Sequence, residues 1–248
     1  MRIGRRGFLK LASASLAAYA LAGVGLAWGR RVTRIDLGIG VRILFAPDTH
    51  IHGLDAGLVE EVNLLEPDLV LLGGDIYDRW SNVREVAETL KGIKAPKVGV
   101  LGNHEHWADT RYGKIPLEKG LAMLREAGVN IVFDSVIEVS GVRVAGIDWR
   151  DDPGDYDGIR LGKADILMAH SPDVFPHVEP SYRIVLAGHT HGGQLCLPGP
   201  RPVITNSVYG FKAGFYRRPD GVVMYVSRGA GHIIPLRLYC SRELVLIT

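Results

Sequence analysis

Five short apolar segments dominate the sequence between residues 41 and 188. Apolar residues, many of them β-branched, fill segments 41–46, 68–74, 97–102, 164–169 and 183–188. Runs of this length and composition are typical of buried β-strands. Amphipathic segments with helical spacing separate or follow the first three, at 58–65, 83–93 and 117–127. Together with further strand-like stretches at 130–147, 221–229 and 235–248, the pattern predicts an α/β protein whose helices cover a two-sheet core.

Polar residues that can bind metals stand directly after each of the five apolar segments. In chain order they are Asp48 and His50, then Asp75, then Asn103 and His104, then His170, and finally His189 and His191. Because the carboxyl ends of neighbouring strands direct their loops into one crevice, we expect these side chains to lie close together. Glycines beside them, such as Gly74 and Gly188, permit sharp turns and close approach.

The residue types indicate a site for two metal ions. Carboxylate, amide and imidazole ligands suit manganese, iron, zinc, cobalt or nickel without selecting among them. The only two cysteines, Cys196 and Cys240, are too few for a thiolate zinc site. Two aspartates, one asparagine and four histidines, leaving out His104, make seven candidate ligands. Seven exceed the needs of one tetrahedral ion and fit two ions that share a carboxylate. Two carboxylates leave such a site positively charged, which favours an anionic phosphate ester as substrate.

These motifs resemble the signature of the calcineurin-like metallophosphoesterase family in order and spacing. The matching elements are Asp48-x-His50, Gly74-Asp75, Gly102-Asn103-His104-Glu105, His170 and Gly188-His189-Thr190-His191. The form GHTHGGQ at 188–194, the N-terminal segment and the C-terminal tail look most like the YkuE-like subgroup. The resemblance implies a four-layer α/β/β/α sandwich, with two mixed sheets flanked by helices. It also implies two divalent metal ions as cofactors.

The resemblance further assigns a role to each matched residue. Asp48, His50 and His191 would bind one metal; Asn103, His170 and His189 would bind the other; Asp75 would bridge the two. A hydroxide bridging the metals would attack phosphorus, and His104 would act as general acid on the leaving oxygen. The substrate stays open between a mono- or diester, a phospholipid and a lipid-linked diphosphate. Related members hydrolyse UDP-diacylglucosamine, a nucleotide-sugar lipid.

A non-catalytic metal-binding scaffold or binding module at the membrane surface is the alternative function. Loss of the bridging carboxylate or of the general acid would favour it, but Asp75 and His104 are both present. The sequence lacks the G-x-S-x-G elbow of serine hydrolases and the H-E-x-x-H zinc motif. It also lacks a Walker A loop and the G-x-G-x-x-G turn, which argues against nucleotide-triphosphate and dinucleotide folds.

The N-terminal segment predicts how the chain is targeted in the cell. Residues 5–10 read RRGFLK and resemble the twin-arginine motif, and the uncharged segment 11–28 follows. We therefore divide the chain into a twin-arginine signal or membrane anchor at 1–29 and a metallophosphoesterase domain at 30–248. The expected partners are the twin-arginine export machinery and, if the segment is not cleaved, the membrane. The expected location is outside the cytoplasm, either exported or anchored with the domain facing outside.

Basic residues are concentrated at the N-terminus, where Arg2, Arg5, Arg6 and Lys10 occur without an acidic residue. The remainder of the chain is mildly acidic, although the formal net charge of the whole chain is +2. A nucleic-acid-binding protein needs clustered basic residues on its folded domain. The sequence therefore predicts no nucleic-acid partner.

Overall fold

Two six-stranded mixed sheets form the centre of the protein in a computed structural model, which describes residues 4–27, 29–199 and 201–248. Residues 1–3 and residue 28 of the predicted signal segment lie outside the described residues. The helices are α1 (Arg5–Ala27), α2 (Ala56–Leu64), α3 (Val83–Gly92), α4 (Asn103–Thr110) and α5 (Leu117–Glu126). Short 3-10 helices occupy Pro153–Tyr156, Pro172–Val174 and His191–Gly193.

The strands follow the apolar segments of the sequence. They are β1 (Arg30–Ile35), β2 (Ile43–Phe45), β3 (Leu69–Gly73), β4 (Lys97–Val100), β5 (Val129–Ile131), β6 (Ser135–Val139), β7 (Val142–Ile147), β8 (Ile166–Ala169), β9 (Ile184–Ala187), β10 (Cys196–Leu197), β11 (Arg201–Pro202), β12 (Gly214–Arg217), β13 (Val223–Val226) and β14 (Arg242–Ile247). The first sheet has the order β1-β14-β2-β3-β4-β5, and the second has the order β12-β13-β9-β8-β7-β6.

Parallel pairing aligns the strand ends that carry the motifs. In the first sheet, β2, β3, β4 and β5 are parallel, whereas β14 runs antiparallel to β2. In the second sheet, β7, β8, β9 and β13 are parallel, and antiparallel strands β6 and β12 close the two edges. The carboxyl ends of β2, β3, β4, β8 and β9 therefore point to one end of the sandwich.

Alternation of side chains along the strands divides the core into layers. Phe45, Leu71 and Val100 point between the sheets, where they pack with residues of the second sheet such as Ile166 and Met168. The intervening residues pack against α2, α3 and α5 on the outer face of the first sheet. The outer face of the second sheet is covered by short 3-10 helices and loops. The predicted fold class is confirmed.

Helix α4 and the C-terminal tail differ from the sequence-based expectations, and strands β1, β10, β11 and β12 lie outside the predicted strand segments. The segment 103–110 lacks apolar periodicity, and α4 was not predicted there, because this helix buries Asn103 and Glu105 instead of an apolar stripe. The strand-like stretch 235–248 forms a strand only over its last part, in β14. In residues 235–241, Arg237 is buried among backbone carbonyls instead of pairing with a neighbouring strand.

Candidate metal centre

The seven predicted metal ligands converge at the carboxyl ends of the parallel strands, where all are buried. None of the seven is more than 8% exposed. Their convergence comes from strand order: β2, β3 and β4 deliver three motifs from the first sheet, and β8 and β9 deliver two from the second. The seven residues are Asp48, His50, Asp75, Asn103, His170, His189 and His191.

The first cluster consists of Asp48, His50 and His191, whose ligand atoms lie within 4.8 Å of one another. The Nε2 atoms of His50 and His191 are 3.3 Å apart. Nε2 of His191 is 3.7 Å from Oδ1 of Asp48. Two imidazole nitrogens and one carboxylate oxygen facing a common point are a donor set that suits a divalent transition metal.

The second cluster consists of Asp75, His170 and His189, again with ligand atoms within 4.8 Å. Nε2 of His170 lies 3.2 Å from Oδ2 of Asp75 and 3.1 Å from Nδ1 of His189. Oδ1 of Asn103 lies 3.2 Å from the same nitrogen of His170, so the amide joins this cluster.

Asp75 lies between the two clusters. Its Oδ2 is 3.2 Å from Nε2 of His170 and 3.6 Å from Nε2 of His50. One carboxylate thus faces the donor atoms of both clusters. The donor chemistry, the burial and this shared carboxylate fit two neighbouring divalent cations, although the individual ligand roles stay predictions.

Backbone strain accompanies the convergence. Asp48, His50, Asp75, His189 and His191 all have φ between 41° and 68°, a region that residues other than glycine seldom adopt. Glycine is needed beside these residues because neighbouring atoms lie too close to leave room for a side chain. A Cβ on Gly188, for example, would lie 2.5 Å from Oδ2 of Asp48. Strained conformations of this kind persist where the surrounding structure imposes them, as it does at functional sites.

Hydrogen bonds to the far side of the rings orient the histidines. Nδ1 of His170 donates to the carbonyl of Gly73 at 2.9 Å, which leaves Nε2 facing the second cluster. Nδ1 of His50 is 3.1 Å from Oδ2 of Asp78, which leaves its Nε2 facing the first cluster. Such outer partners fix the tautomer and the direction of a metal-binding histidine.

Glu105 is the last residue of the Gly102-Asn103-His104-Glu105 motif, and its supporting role is visible only in the structure. Its buried carboxylate accepts hydrogen bonds from the backbone N–H groups of Asp75, Ile76, Tyr77 and Gly102, at 2.5–3.1 Å. The carboxylate therefore fixes the loop after β3 to the start of α4. The polar, glycine-preceded start of the Asn103 motif was the available signal.

Arg237 is a second residue that the sequence reasoning missed. Its guanidinium is buried, lies 3.2 Å from Nδ1 of His191 and donates to the carbonyls of Arg228 and Gly231. The contacts connect the C-terminal segment to the loop of His191. The available signal was a single arginine among the apolar residues of segment 233–238.

Proton equilibria reflect the dense packing of charges. Burial raises the pKa of Asp48 to about 6. Burial would also raise the pKa of Asp75, but His170 holds that pKa well below its ordinary value. Burial opposes protonation of His170, yet Asp75 raises its pKa to about 9. Because protons and cations compete for the same imidazole nitrogens, binding of a cation by His170 would require release of its proton.

His104 lies beside both clusters without joining the set of ligands proposed above. Its backbone N–H donates to Oδ1 of Asp75 at 2.8 Å, and its ring stands edge-on to His50 at 5.0 Å. Nδ1 of His104 is buried and has no hydrogen-bond partner within residues 4–27, 29–199 and 201–248. Burial lowers the pKa of His104. The ligand atoms of His50, Asp78 and His104 also lie within 4.8 Å of one another. This third group of donors was not predicted from the sequence.

Three further residues have positions that bear on the site. His106, to which no role was given, pairs with Asp148 at 3.1 Å. Cys196 and Cys240 are both buried free thiols and donate to the carbonyl of Gly192, at 3.2 and 3.4 Å. The two thiols therefore support the peptide that follows His191.

Comparison with known proteins identifies a related group. The profile of calcineurin-like phosphoesterases matches residues 41–193, a range that contains all seven predicted ligands and His104. An uncharacterized metallophosphoesterase of Helicobacter pylori strain J99 is 30% identical over 231 residues, which cover 84% of this chain and 59% of the relative. This chain therefore spans little more than half the length of that relative.

Two other relatives match over most of their own length. The uncharacterized metallophosphoesterase YkuE of Bacillus subtilis is 29% identical over 287 residues, covering 100% of this chain and 98% of the relative. The phosphodiesterase YaeI of Escherichia coli is 26% identical over 227 residues, covering 83% of this chain and 81% of the relative.

Proposed function

This chain belongs to the calcineurin-like phosphoesterase family, and on that premise we propose that it hydrolyses its phosphate ester with two divalent cations bound at the described clusters. It is a hydrolase that acts on phosphoester bonds and binds divalent metal. The observation that carries the proposal of two ions is the position of Asp75, whose Oδ2 faces nitrogens of both clusters.

The proposed ligand sets follow the two clusters. One cation would be held by Asp48, His50 and His191, the other by Asn103, His170 and His189, and Asp75 would contact both. Bound there, divalent cations supply Lewis-acid activation of water and neutralise charge on the phosphate. Because the ligand set contributes two carboxylates, the loaded site stays positive and attracts the phosphate anion.

His104 is proposed to donate a proton to the leaving oxygen. Its position supports this role, since its ring packs against His50, its backbone N–H donates to Asp75, and its buried Nδ1 has no hydrogen-bond partner in the described part of the chain. Rings packed beside it, among them Trp107 at 5.7 Å, limit its rotation. Proton donation of this kind contributes about 10²–10⁴-fold to a rate.

Metal analysis of the purified protein, followed by chelation and re-addition, tests the metal requirement. The assay uses a panel of phosphate mono- and diesters, and manganese, iron, zinc, cobalt and nickel are each re-added. We expect about two metal ions per chain, loss of hydrolysis on chelation and its return with at least one of the metals. Hydrolysis that is unaffected by complete metal removal would disprove the proposal.

Two histidines of helix α4 form a matched pair for testing the acid. We expect His104→Ala to lose roughly 10²–10⁴-fold in turnover while it retains its metal. His106→Ala serves as the control, since His106 pairs with Asp148 instead of facing the clusters. Equal turnover in the two variants would remove His104 from the mechanism.

The substrate of the site belongs to the phosphate esters, and the name of the Escherichia coli relative favours a diester. We propose a diester or a lipid-linked phosphate ahead of a soluble monoester. The substrate panel described above distinguishes these classes by their relative kcat/KM.

We further propose that residues 5–10 direct export by the twin-arginine route. Helix α1 begins with Arg5 and Arg6, and the stretch Arg5–Gly25 is long and apolar enough to cross a membrane. A signal sequence and an anchor both fit this helix. Replacing both arginines by lysine should retain the protein in the cytoplasm on cell fractionation, and undiminished export would contradict the assignment.

A further inference from the structure

Exposed apolar side chains are concentrated on two loops beside the metal clusters. Six of them, each 47–73% exposed, form what is called the apolar rim below: Leu195, Leu197, Val203, Ile204, Ile234 and Leu236. Single exposed apolar residues are ordinary, but a contiguous group marks an interaction surface. The rim adjoins the first cluster, because Cys196, which stands between Leu195 and Leu197, donates to the carbonyl of Gly192 next to His191.

Hydrogen bonds join the two loops into one surface. The side-chain amide of Gln194 donates to the carbonyls of Ile234 and Leu236, at 3.0 and 2.8 Å. Strands β10 and β11 pair so that Leu197 lies opposite Arg201. These hydrogen bonds therefore hold the backbone of the two loops side by side.

The second observation is the position of helix α1. The backbone N–H of Tyr239 donates to the carbonyl of Gly23 at 3.0 Å, and its hydroxyl donates to the carbonyl of Tyr19 at 3.1 Å. The rings of Tyr19 and Tyr239 are 4.9 Å apart. Tyr239 follows the rim residue Leu236 closely, so the rim lies next to the carboxyl-terminal part of a helix that can cross a membrane. Tyrosines are enriched where a membrane-spanning helix meets the interface between lipid and water.

The third observation is the charge of the two segments that carry the rim. Segments 191–219 and 229–242 contain no aspartate or glutamate, although the chain has 27 acidic residues. Two basic residues lie at the rim itself: Arg201 pairs with Leu197 in β10–β11, and Nζ of Lys212 is 3.4 Å from the carbonyl oxygen of Pro202. Apolar side chains beside cationic ones are the composition of surfaces that dock on anionic lipid.

We propose that the apolar rim docks on the surface of an anionic phospholipid bilayer, beside the point where α1 enters it. Ile204 and its neighbours enter the boundary between headgroups and acyl chains, while Arg201 contacts lipid phosphate. The first cluster then lies next to the headgroup layer. Docking does not depend on hydrolysis, so failure of this proposal and failure of the proposed function are distinguishable.

Environment-sensitive labelling of the full chain tests the docking. The variant Ile204→Cys is labelled with nitrobenzoxadiazole at the new cysteine. The labelled protein is then mixed with vesicles of phosphatidylcholine and phosphatidylglycerol, and the emission of the label is recorded. Phe133→Cys is the matched control, since Phe133 is also an exposed apolar residue, at 43%, but lies next to β5 at the opposite edge of the first sheet. Because Cys196 and Cys240 are buried, unsubstituted protein measures background labelling.

We expect blue-shifted emission and quenching by spin-labelled lipid at position 204, with neither effect at position 133. Zwitterionic vesicles should weaken the effect at 204. Emission at 204 that stays water-like would overturn the proposal. A second result would also overturn the proposal: blue-shifted emission at position 204 that spin-labelled lipid does not quench, together with cross-linked dimers. In that case a second copy of the chain would cover the rim. If Ile204→Cys does not fold, Val203→Cys provides the same test.

Discussion

The core between the two sheets and the site at the strand ends are equally buried, but burial has opposite consequences in the two regions. Between the sheets, side chains such as Leu71 and Ile166 are fully buried and apolar. Removing such surface from water stabilises the fold by about 25 cal/mol per Å². At the strand ends, burial of Asp48 or Asp75 is unfavourable unless each charge is paired.

Backbone conformation shows the same contrast. Five of the seven predicted ligands have positive φ, whereas the strands that precede them have regular pairing. The sandwich therefore supplies the stability that holds a strained, charged cluster together. Substitutions in the core should change stability without changing the chemistry, whereas substitutions at the strand ends should change the chemistry most.

The largest expected effect belongs to Asp75→Asn. An amide in place of the shared carboxylate removes a negative charge from both clusters, so we expect loss of at least one metal ion. Turnover should fall by roughly 10³-fold or more, by analogy with the loss of an essential group of an active site. The thermal stability of the metal-free protein should fall as well, because ionised Asp75 pairs with His170 at 3.2 Å and the substitution leaves His170 without that charge.

Metal content by mass spectrometry, turnover and a thermal melt of the metal-free protein measure these effects. Asp157→Asn, at an exposed aspartate, is the control for the substitution itself. Asp75→Asn protein that keeps two metals and full turnover would remove the contrast between the two regions.

The next largest effect is a loss of stability at Ile166, which packs between the sheets at the start of β8. Ile166→Ala should cost about 2–5 kcal/mol in the free energy of unfolding, and the milder Ile166→Val about 0.5–1.5 kcal/mol. Denaturant titration measures both values. Turnover per folded molecule should match that of the unsubstituted protein. If turnover per folded molecule fell together with stability, the core and the site would not be separable in the way proposed.

The smallest of the three effects is expected at Asp78, which lies behind the first cluster. Hydrogen bonds from His50 and His52 keep the pKa of Asp78 below its ordinary value, although burial opposes this. Asp78→Asn should weaken metal binding by about 10–100-fold, because the ring of His50 loses its charged partner. His52→Gln removes the more exposed partner of Asp78 and should have a smaller effect on the same metal titration.

Apolar patterning was sufficient to predict most of the fold. The runs ending at Phe45, Gly73, Val100, Ala169 and Ala187 are strands, and the amphipathic segments became α2, α3 and α5. These predictions succeeded because burial follows a period of two in strands and near 3.6 in helices. Helix α4 has no such period, since its inward residues are the polar groups of the site.

The convergence of the motifs was also predictable, because each stands at the end of an apolar strand. The residues that hold these motifs in place were not predictable from the sequence. Glu105 acts through four backbone N–H groups, and Arg237 reaches His191 across 46 residues of chain. Neither contact leaves a periodic pattern in the sequence, since both depend on how distant loops meet. The left-handed backbone of Asp48 and His191 was hidden for the same reason.

Anomalous diffraction from crystals grown with manganese tests the central claim most directly. The account predicts two neighbouring manganese peaks, one among Asp48, His50 and His191 and one among Asn103, His170 and His189, with Asp75 touching both. A single peak, or peaks away from these side chains, would contradict it.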